Sequence, residues 1–282
     1  MRVTIIIPTL NSSAFIQETV RYYHSLVRDI NEIEAVIIVD DHSSDGTYEI
    51  MLQEKKALQS SIKLISLDRN YGQLIAYRAG ESLAKTDIIV HCDDDVLLSQ
   101  SDLQSYIDRY AQGTETILYG LIPGKNSSPK GRNTFYWVVQ NFLFYHLRGK
   151  EFSSLRIFRK DVLDHIFNRA IGYHGNLHTP WLFRPDELDH VTLSSGSRVI
   201  PHPSRYSLSG YFHHQVFLFL VLCRVLSFVA IVALGIAIMA GVLRASHPFT
   251  IFMLVITPAI FILSLVFLKI KSKLHFGISR HG

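Results

Sequence analysis

Between residues 3 and 92, apolar runs alternate with amphipathic stretches, and each run stops at a proline or an acid. The first run, VTIIIP (3–8), is closed by Pro8. Residues 13–28 then carry Phe15, Ile16, Val20, Tyr23 and Val27 at helical spacing. EAVIIVDD (34–41) is a continuous apolar strand ending in two acids, and SSDGTYEIMLQE offers Ser43 or Ser44 as caps for a helix running on from Thr47. IKLISL (62–67) predicts a third strand and GQLIAYRAGESLAK (72–85) a third helix. DIIVHC (87–92) predicts a fourth strand, ending at Asp93, Asp94 and Asp95. Strands that are apolar throughout and alternate with helices predict an α/β fold, its mostly parallel sheet covered on both faces. Ligands of such sheets bind beyond the carboxyl ends of the strands. Pro8, Asp40, Asp41, Asp68, Asn70 and Asp93 to Asp95 all fall there.

The pattern changes after residue 120. GLIPGKNSSPKGRNT (120–134) reads as a flexible basic loop, and residues 135–148 as an aromatic-rich helix. The aromatic side chains suit a lipid groove and a packed helix face equally. FSSLRIFRKDVLDHI follows (152–166), then a stretch rich in Gly, His, Pro and Ser (172–205) with room for one or two strands and a mobile loop. Residues 1–204 are taken as the catalytic domain and 205–224 as an interfacial amphipathic helix. Residues 225–243 and 249–268 contain no charged residue, and each approaches the roughly 20 apolar residues that cross a bilayer. Five residues, RASHP, join them into a transmembrane hairpin, and residues 269–282 form a basic tail. Lys269, Lys271, Lys273 and Arg280 on one side and Arg205 and Arg224 on the other outweigh Arg244 in the connection. The positive-inside rule then puts both termini and the catalytic domain at the cytoplasmic face of the inner (plasma) membrane, as a multi-pass protein.

Composition agrees with that division. Of the 282 residues, 48% are hydrophobic and the mean hydropathy is +0.19, an excess concentrated after residue 215. The net charge of +4 is scattered, with no basic run interleaved with aromatics, so nucleic acid is excluded as a partner. Anionic lipid or a phosphate-bearing ligand explains mild basicity better. Cys92 and Cys223 are far apart and predict no structural disulfide. The start, MRVTIIIPTLN, reads as a strand rather than a signal peptide. His174 and His178 stand four apart, but Gly172, Gly175 and Pro180 work against a zinc-binding helix there, and His213 and His214 would point apart on one.

The adjacent acids carry the chemistry. A hard divalent cation is usually held by one or two carboxylates and completed by substrate phosphates, which suits Mg²⁺ or Mn²⁺ at Asp93 and Asp95. At a strand's end both could project to one side, while Asp40 and Asp41 at the neighbouring end could accept hydrogen bonds from a base or ribose. Together they suit a nucleoside diphosphate. Asp45 reads as turn chemistry.

IIIPTLN, VIIVDDHSSDGT, RNYGQLIAYRAG and CDDDV, in this order and spacing, resemble the family 2 glycosyltransferases of GT-A fold. They resemble especially the polyprenyl-phosphate sugar transferases, the group of dolichol-phosphate mannose synthase and its bacterial relatives, over about residues 3–166. The two-span tail also fits the bacterial relatives. The resemblance implies that Pro8 and Asn11 line the nucleoside pocket, that Asp41 contacts the base, and that Asp68 and Asn70 meet the nucleotide. It makes Asp93 and Asp95 the D-x-D metal motif, with Asp94 as its variable middle on the donor side. SSLRIFRKDV resembles the family's S-G-F-R-x-x-x-R segment, which implies Ser153, Arg156 and Arg159 at the acceptor and Arg156 among the catalytic residues with Asp93 and Asp95. Lys130 and Arg132 are candidates for gripping a lipid phosphate. Ser12 stands where the family often has Glu, and Glu151 is only near the place of the acid that usually precedes S-G-F-R.

The resemblance implies inverting transfer of a sugar from a nucleotide sugar to a polyprenyl phosphate, for cell-envelope glycan synthesis or modification. A phosphate oxygen is already anionic at neutral pH, so a missing base is tolerable. Two alternatives remain: transfer to a lipid-linked saccharide hydroxyl, and an inactive membrane scaffold. Homo-oligomerisation stays open, since helical spans self-associate but no G-x-x-x-G stripe is present.

Overall fold

A computed structural model describes residues 1–123, 153–169 and 183–201, all within the first of two compact units, Met1–Ser204. The predicted alternation forms as β1 (Val3–Thr9), α1 (Ile16–Asp29), β2 (Ile33–Asp40), α2 (Thr47–Leu58), β3 (Lys63–Ser66), α3 (Gln73–Ser82) and β4 (Ile88–His91). Then come β5 (Val96–Leu97), α4 (Gln100–Gln112), β6 (Ile117–Leu121), β7 (Arg156–Arg159), α5 (Lys160–Arg169), β8 (Leu188–Thr192) and β9 (Arg198–Val199). Seven strands make one sheet in the order β3-β2-β1-β4-β7-β6-β8. The β3–β2, β2–β1, β1–β4 and β6–β8 pairs are parallel, and β7 runs antiparallel to both β4 and β6. The fold is therefore α/β with a mostly parallel sheet.

β1 is buried along its whole length, with Val3, Ile5, Ile6 and Ile7 fully enclosed between the helical layers. Burying each such side chain stabilises the fold by about 1.5–3 kcal/mol, an upper estimate because denatured chains are partly compact. On one face Ile5 and Ile7 join Phe15, Ile16, Val20 and Tyr23 of the α1 segment in a single core. On the other, Gly80 of α3 sits against Ile6 and Val39 so closely that a Cβ would collide with the Ile6 side chain. The missing side chain is what lets α3 lie flat on β1 and β2.

Some boundaries differ from the pattern-based reading. Pro8 does not end β1, which continues beside β2 to Thr9 opposite Asp40. Neither Ser43 nor Ser44 caps α2. Gly46, at φ 86°, occupies the cap position, and the Asp45 carboxylate takes both the Thr47 amide and its hydroxyl. Residues 153–169 divide into β7 and α5, and the unassigned region after 172 contains β8 and β9. The small β5–β9 sheet is braced by Asp102, which accepts the Ser195 and Ser197 amides at the start of α4. Burial pushes the Asp102 carboxyl up, and donors from Ser197, Ser195 and Ser99 outweigh it, so it lies below its ordinary value. Cys92 is buried, with its thiol 3.2 Å from the Tyr23 hydroxyl.

Among the described residues no helix is long and apolar enough to cross a membrane. The segments 205–224, 225–243, 249–268 and 269–282 lie outside the described residues, as do the aromatic stretch 135–148, Cys223, Lys130, Arg132, Glu151 and the four histidines considered for zinc.

Gly80→Ala is expected to lower stability by about 1–3 kcal/mol, because overpacking against Ile6 outweighs the gain in helix propensity. Thermal denaturation of the purified variant checks this.

Candidate active site

The strand order reverses between β1 and β4, since β2 and β3 continue to one side and β7 to the other. The β1–β4 ladder covers Val3–Ile6 against Ile88–His91 and closes with the Cys92 amide on the Ile6 carbonyl at 3.1 Å. Beyond it the strands part, while β1 stays paired with β2. Pro8, two residues after Ile6, turns its nitrogen toward the side β4 has left, where no donor is required. A crevice opens there, at the carboxyl ends of the strands, where ligands of open α/β sheets bind.

The acids stand on its rim in a turn rather than a strand end. The Val96 amide bonds the Asp93 carbonyl (3.2 Å), leaving Asp94 and Asp95 as the central residues. Asp94 points inward and is only 2% exposed. Its Oδ2 accepts from Thr9 Oγ1 at 2.6 Å and Ser12 Oγ at 2.5 Å, and its carbonyl accepts from Thr19 Oγ1 at 2.7 Å. Asp93 is half-buried, accepting Gln73 Nε2 at Oδ1 (3.0 Å) and Ser154 Oγ at Oδ2. Asp95 is also half-buried, and its carbonyl takes the Ile200 amide at 2.7 Å. Thr9, Gln73 and Ser154 escaped the sequence reading, because isolated hydroxyls and amides leave no periodic signal, and Ser12 was marked only as standing in place of the family's Glu.

On the β2 side, serine and threonine hydroxyls stitch two loops together. The Asn11, Ser12 and Ser13 amides donate to Ser43 Oγ, Thr47 Oγ1 and Asp45 Oδ2. Asn11, held at φ 52°, returns its Oδ1 to the Ser44 amide at 2.9 Å. Asp41 is buried, and its two oxygens accept the Tyr71 and Gly72 amides, both at 2.8 Å. Burial pushes its carboxyl up to about 6, against the opposing pull of those amides. Neighbouring Asp40 leaves Oδ1 buried without a partner while Oδ2 accepts the Ser43 amide. Asp68 and Asn70 are exposed in the loop before α3.

The structure thus gathers Pro8, Asn11, Asp41 and Asp93 to Asp95 at one edge. The S-x-x-R segment is distributed differently. Ser153 Oγ donates to the Gly120 and Leu155 carbonyls, and its neighbour Ser154 meets Asp93. Arg156 is 1% exposed and enclosed in the sheet layer, donating from Nε to His91 Nδ1 at 3.1 Å. Arg159 is not brought to the site. β7 runs away from the turn, so Arg159 pairs with Ile88, about 15 Å down β4 from Asp93 at the rise of a strand, and faces Asp161.

A divalent cation fits what the turn offers. Asp93 and Asp95 supply hard carboxylate oxygens with one residue between them. Gln73 and Ser154 each engage one lone pair on a different Asp93 oxygen, and such an oxygen has two, whereas Asp94 Oδ2 accepts from both Thr9 and Ser12. Among the described residues no group of three or more His, Cys, Asp and Glu is set to hold an ion, so the remaining ligands would come from a bound phosphate or water.

The folded protein binds a proton at Asp41 between about pH 4 and 6 that the unfolded chain has released, so this group's stabilisation falls as pH rises through that window. Relative to Asp41→Asn, the wild type is expected to lose about 2 kcal/mol between pH 4 and pH 7. Denaturant titrations of both proteins across that range measure it.

The family profile "Glycosyl transferase family 2" matches residues 4–169. Undecaprenyl-phosphate 4-deoxy-4-formamido-L-arabinose transferases of Salmonella choleraesuis (strain SC-B67) and Salmonella newport (strain SL254) are each 25% identical over 167 residues, which is 58% of this chain and 50% of theirs. The chain spans about half the length of these curated relatives. Among solved structures, glucosyl-3-phosphoglycerate synthase from Mycobacterium tuberculosis, in complex with Mn²⁺, UDP and phosphoglyceric acid, superposes with a TM-score of 0.57 at 14% identity, covering 78% of this chain and 77% of that one. The same enzyme with Mg²⁺ and UDP gives 0.52 at 14%, covering 72% of each. With the GT-A fold, the parted strands and the acidic turn in place, the chain belongs to glycosyl transferase family 2.

Proposed function

We propose that this chain is a glycosyltransferase that moves one sugar, with inversion, from a nucleotide sugar to a polyprenyl phosphate at the cytoplasmic face of a membrane. The observation that carries the donor half is the acidic turn at the parting of β1 and β4, where Asp94 is held inward by Thr9 and Ser12 while Asp93 and Asp95 stand half-buried on either side of it. The acceptor half is supported by the undecaprenyl-phosphate transferases among the relatives and by the charge-free stretches 225–243 and 249–268, read as a transmembrane hairpin.

In this reading Asp93 and Asp95 hold Mg²⁺ or Mn²⁺, which when bound neutralises charge on the leaving nucleoside diphosphate. Pro8 and Asn11 border the nucleoside, whose base and ribose meet the end of β2, and Asp68 and Asn70 extend that wall. Asp41 holds the start of α3 through Tyr71 and Gly72 and so shapes the pocket from behind. Asp94 ties the turn to β1 and loop residue Ser12 rather than reaching the donor. A lipid phosphate arrives as an anion, so the chain's task is to align it with the sugar and exclude water, without deprotonating it. Lys130 and Arg132 are assigned to gripping that phosphate.

The test is sugar transfer from a panel of radiolabelled nucleotide sugars to undecaprenyl phosphate with Mn²⁺ or Mg²⁺. A mild-acid-labile lipid product is expected, with Asp95→Ala lowering its formation by about 100-fold or more, the scale of losing several kcal/mol of charge stabilisation. Donor hydrolysis or binding without lipid product transfers the assignment to a saccharide hydroxyl. No binding of any donor sinks the enzymatic reading of the site.

A further inference from the structure

β4 carries His91 two residues before Asp93, and the elements that hold one also hold the other. On α3, Gln73 donates to Asp93 Oδ1 at 3.0 Å. One helical turn on, Tyr77 stacks on the His91 ring with centroids 3.5 Å apart and planes 8° apart. On the β7 side, Ser154 Oγ bonds Asp93 Oδ2, and two residues on, Arg156 Nε donates to His91 Nδ1 at 3.1 Å. Phe158, next on the same face of β7, meets the His91 ring edge-on at 4.6 Å. His91 and Asp93 are two layers of one clamp, closed by the same two elements.

The lower layer is costly for mere packing. His91 is fully buried, and the Arg156 guanidinium donates to its Nδ1. Because Nδ1 accepts, the imidazole is neutral and Nε2 carries the proton. That Nε2 has no hydrogen-bond partner, nor has the Tyr77 hydroxyl. An orphaned buried donor destabilises the fold, because it gives up its bond to water and gains none in return. A phenylalanine in the same slot would keep both ring contacts and remove that cost. What it would lose is the acceptor that fixes Arg156.

We propose that His91 is a positioning residue for the acidic turn: by fixing Arg156 and Tyr77 it sets where Ser154 and Gln73 meet Asp93, and thereby the affinity of the turn for a divalent cation. The inference rests on the metal role given above to Asp93 and Asp95. It assigns a task to a residue that touches neither donor nor acceptor.

Mn²⁺ binding to the full chain, followed through the electron paramagnetic resonance signal of free Mn²⁺, tests this without donor, acceptor or turnover. His91→Phe, which keeps the ring contacts, is expected to fold yet bind Mn²⁺ about tenfold more weakly, and Ser154→Ala to show a similar loss. The double variant should lose much less than the product of the two factors, since both act through one carboxylate. His91→Gln, whose amide oxygen can accept from Arg156, should recover most of the affinity. Should His91→Phe not fold, His91→Asn, too short to reach Arg156, carries the same expectation. A folded His91→Phe with wild-type Mn²⁺ affinity, or factors that simply multiply, overturns the proposal. A wild type that binds no Mn²⁺ overturns it together with the metal reading, whereas failure of sugar transfer alone overturns only the lipid-phosphate acceptor.

Discussion

Three adjacent carboxylates can share one turn only if separate donors take up their charge, and the rest of this active-site architecture follows from that constraint. Two unit charges 4 Å apart repel by about 4 kcal/mol near a protein surface, a large fraction of a domain's net stability. The repulsion is relieved by sending the acids in different directions. Asp94 turns inward onto Thr9 and Ser12, and Asp93 turns to Gln73 and Ser154. The donors come from β1, the loop after it, α3 and the segment entering β7. No local segment could build the turn, because its donors are up to 85 residues away.

The sheet order is what brings them together. β1 pairs on one side with β2 as far as Thr9 but on the other with β4 only as far as Ile6, so a crevice opens where Pro8 has no amide to satisfy. The loops after β1 and β2 are then locked to each other by Ser43, Thr47 and Asp45, and Asp41 locks the β2 end to the start of α3. The crevice is thus walled by short-range hydrogen bonds on one side and by the antiparallel β7 on the other. That single reversed strand delivers Ser154 to Asp93 and buries Arg156 one layer below.

Motif spacing proved a better guide to strand ends than to side-chain direction. Asn11, Asp41 and the acids were expected at one edge of the sheet, and they are there, because an apolar run must stop where the sheet meets water. Arg156 and Arg159 of SSLRIFRKDV were both set at the acceptor, and Arg156 also among the catalytic residues, on motif position alone. On a strand, three residues of separation move a side chain about 10 Å along the sheet and onto the opposite face, so Arg156 and Arg159 could not serve one site. The same period puts Ser154 and Arg156 on one face, layered over Asp93 and His91.

By itself the sequence determined the alternation of strands and helices, the mostly parallel sheet, and the edge on which reactive groups collect. Those are consequences of local hydrophobic period and of which residue types end a buried run. It could not determine which acid points inward, which hydroxyls hold it, or that a neutral histidine and a buried arginine underlie the turn. Those depend on pairings between segments dozens of residues apart, such as His91 with Arg156 and Asp93 with Ser154. A hydrogen bond is specified by distance and direction between two atoms, and only the assembled sheet brings those atoms within reach.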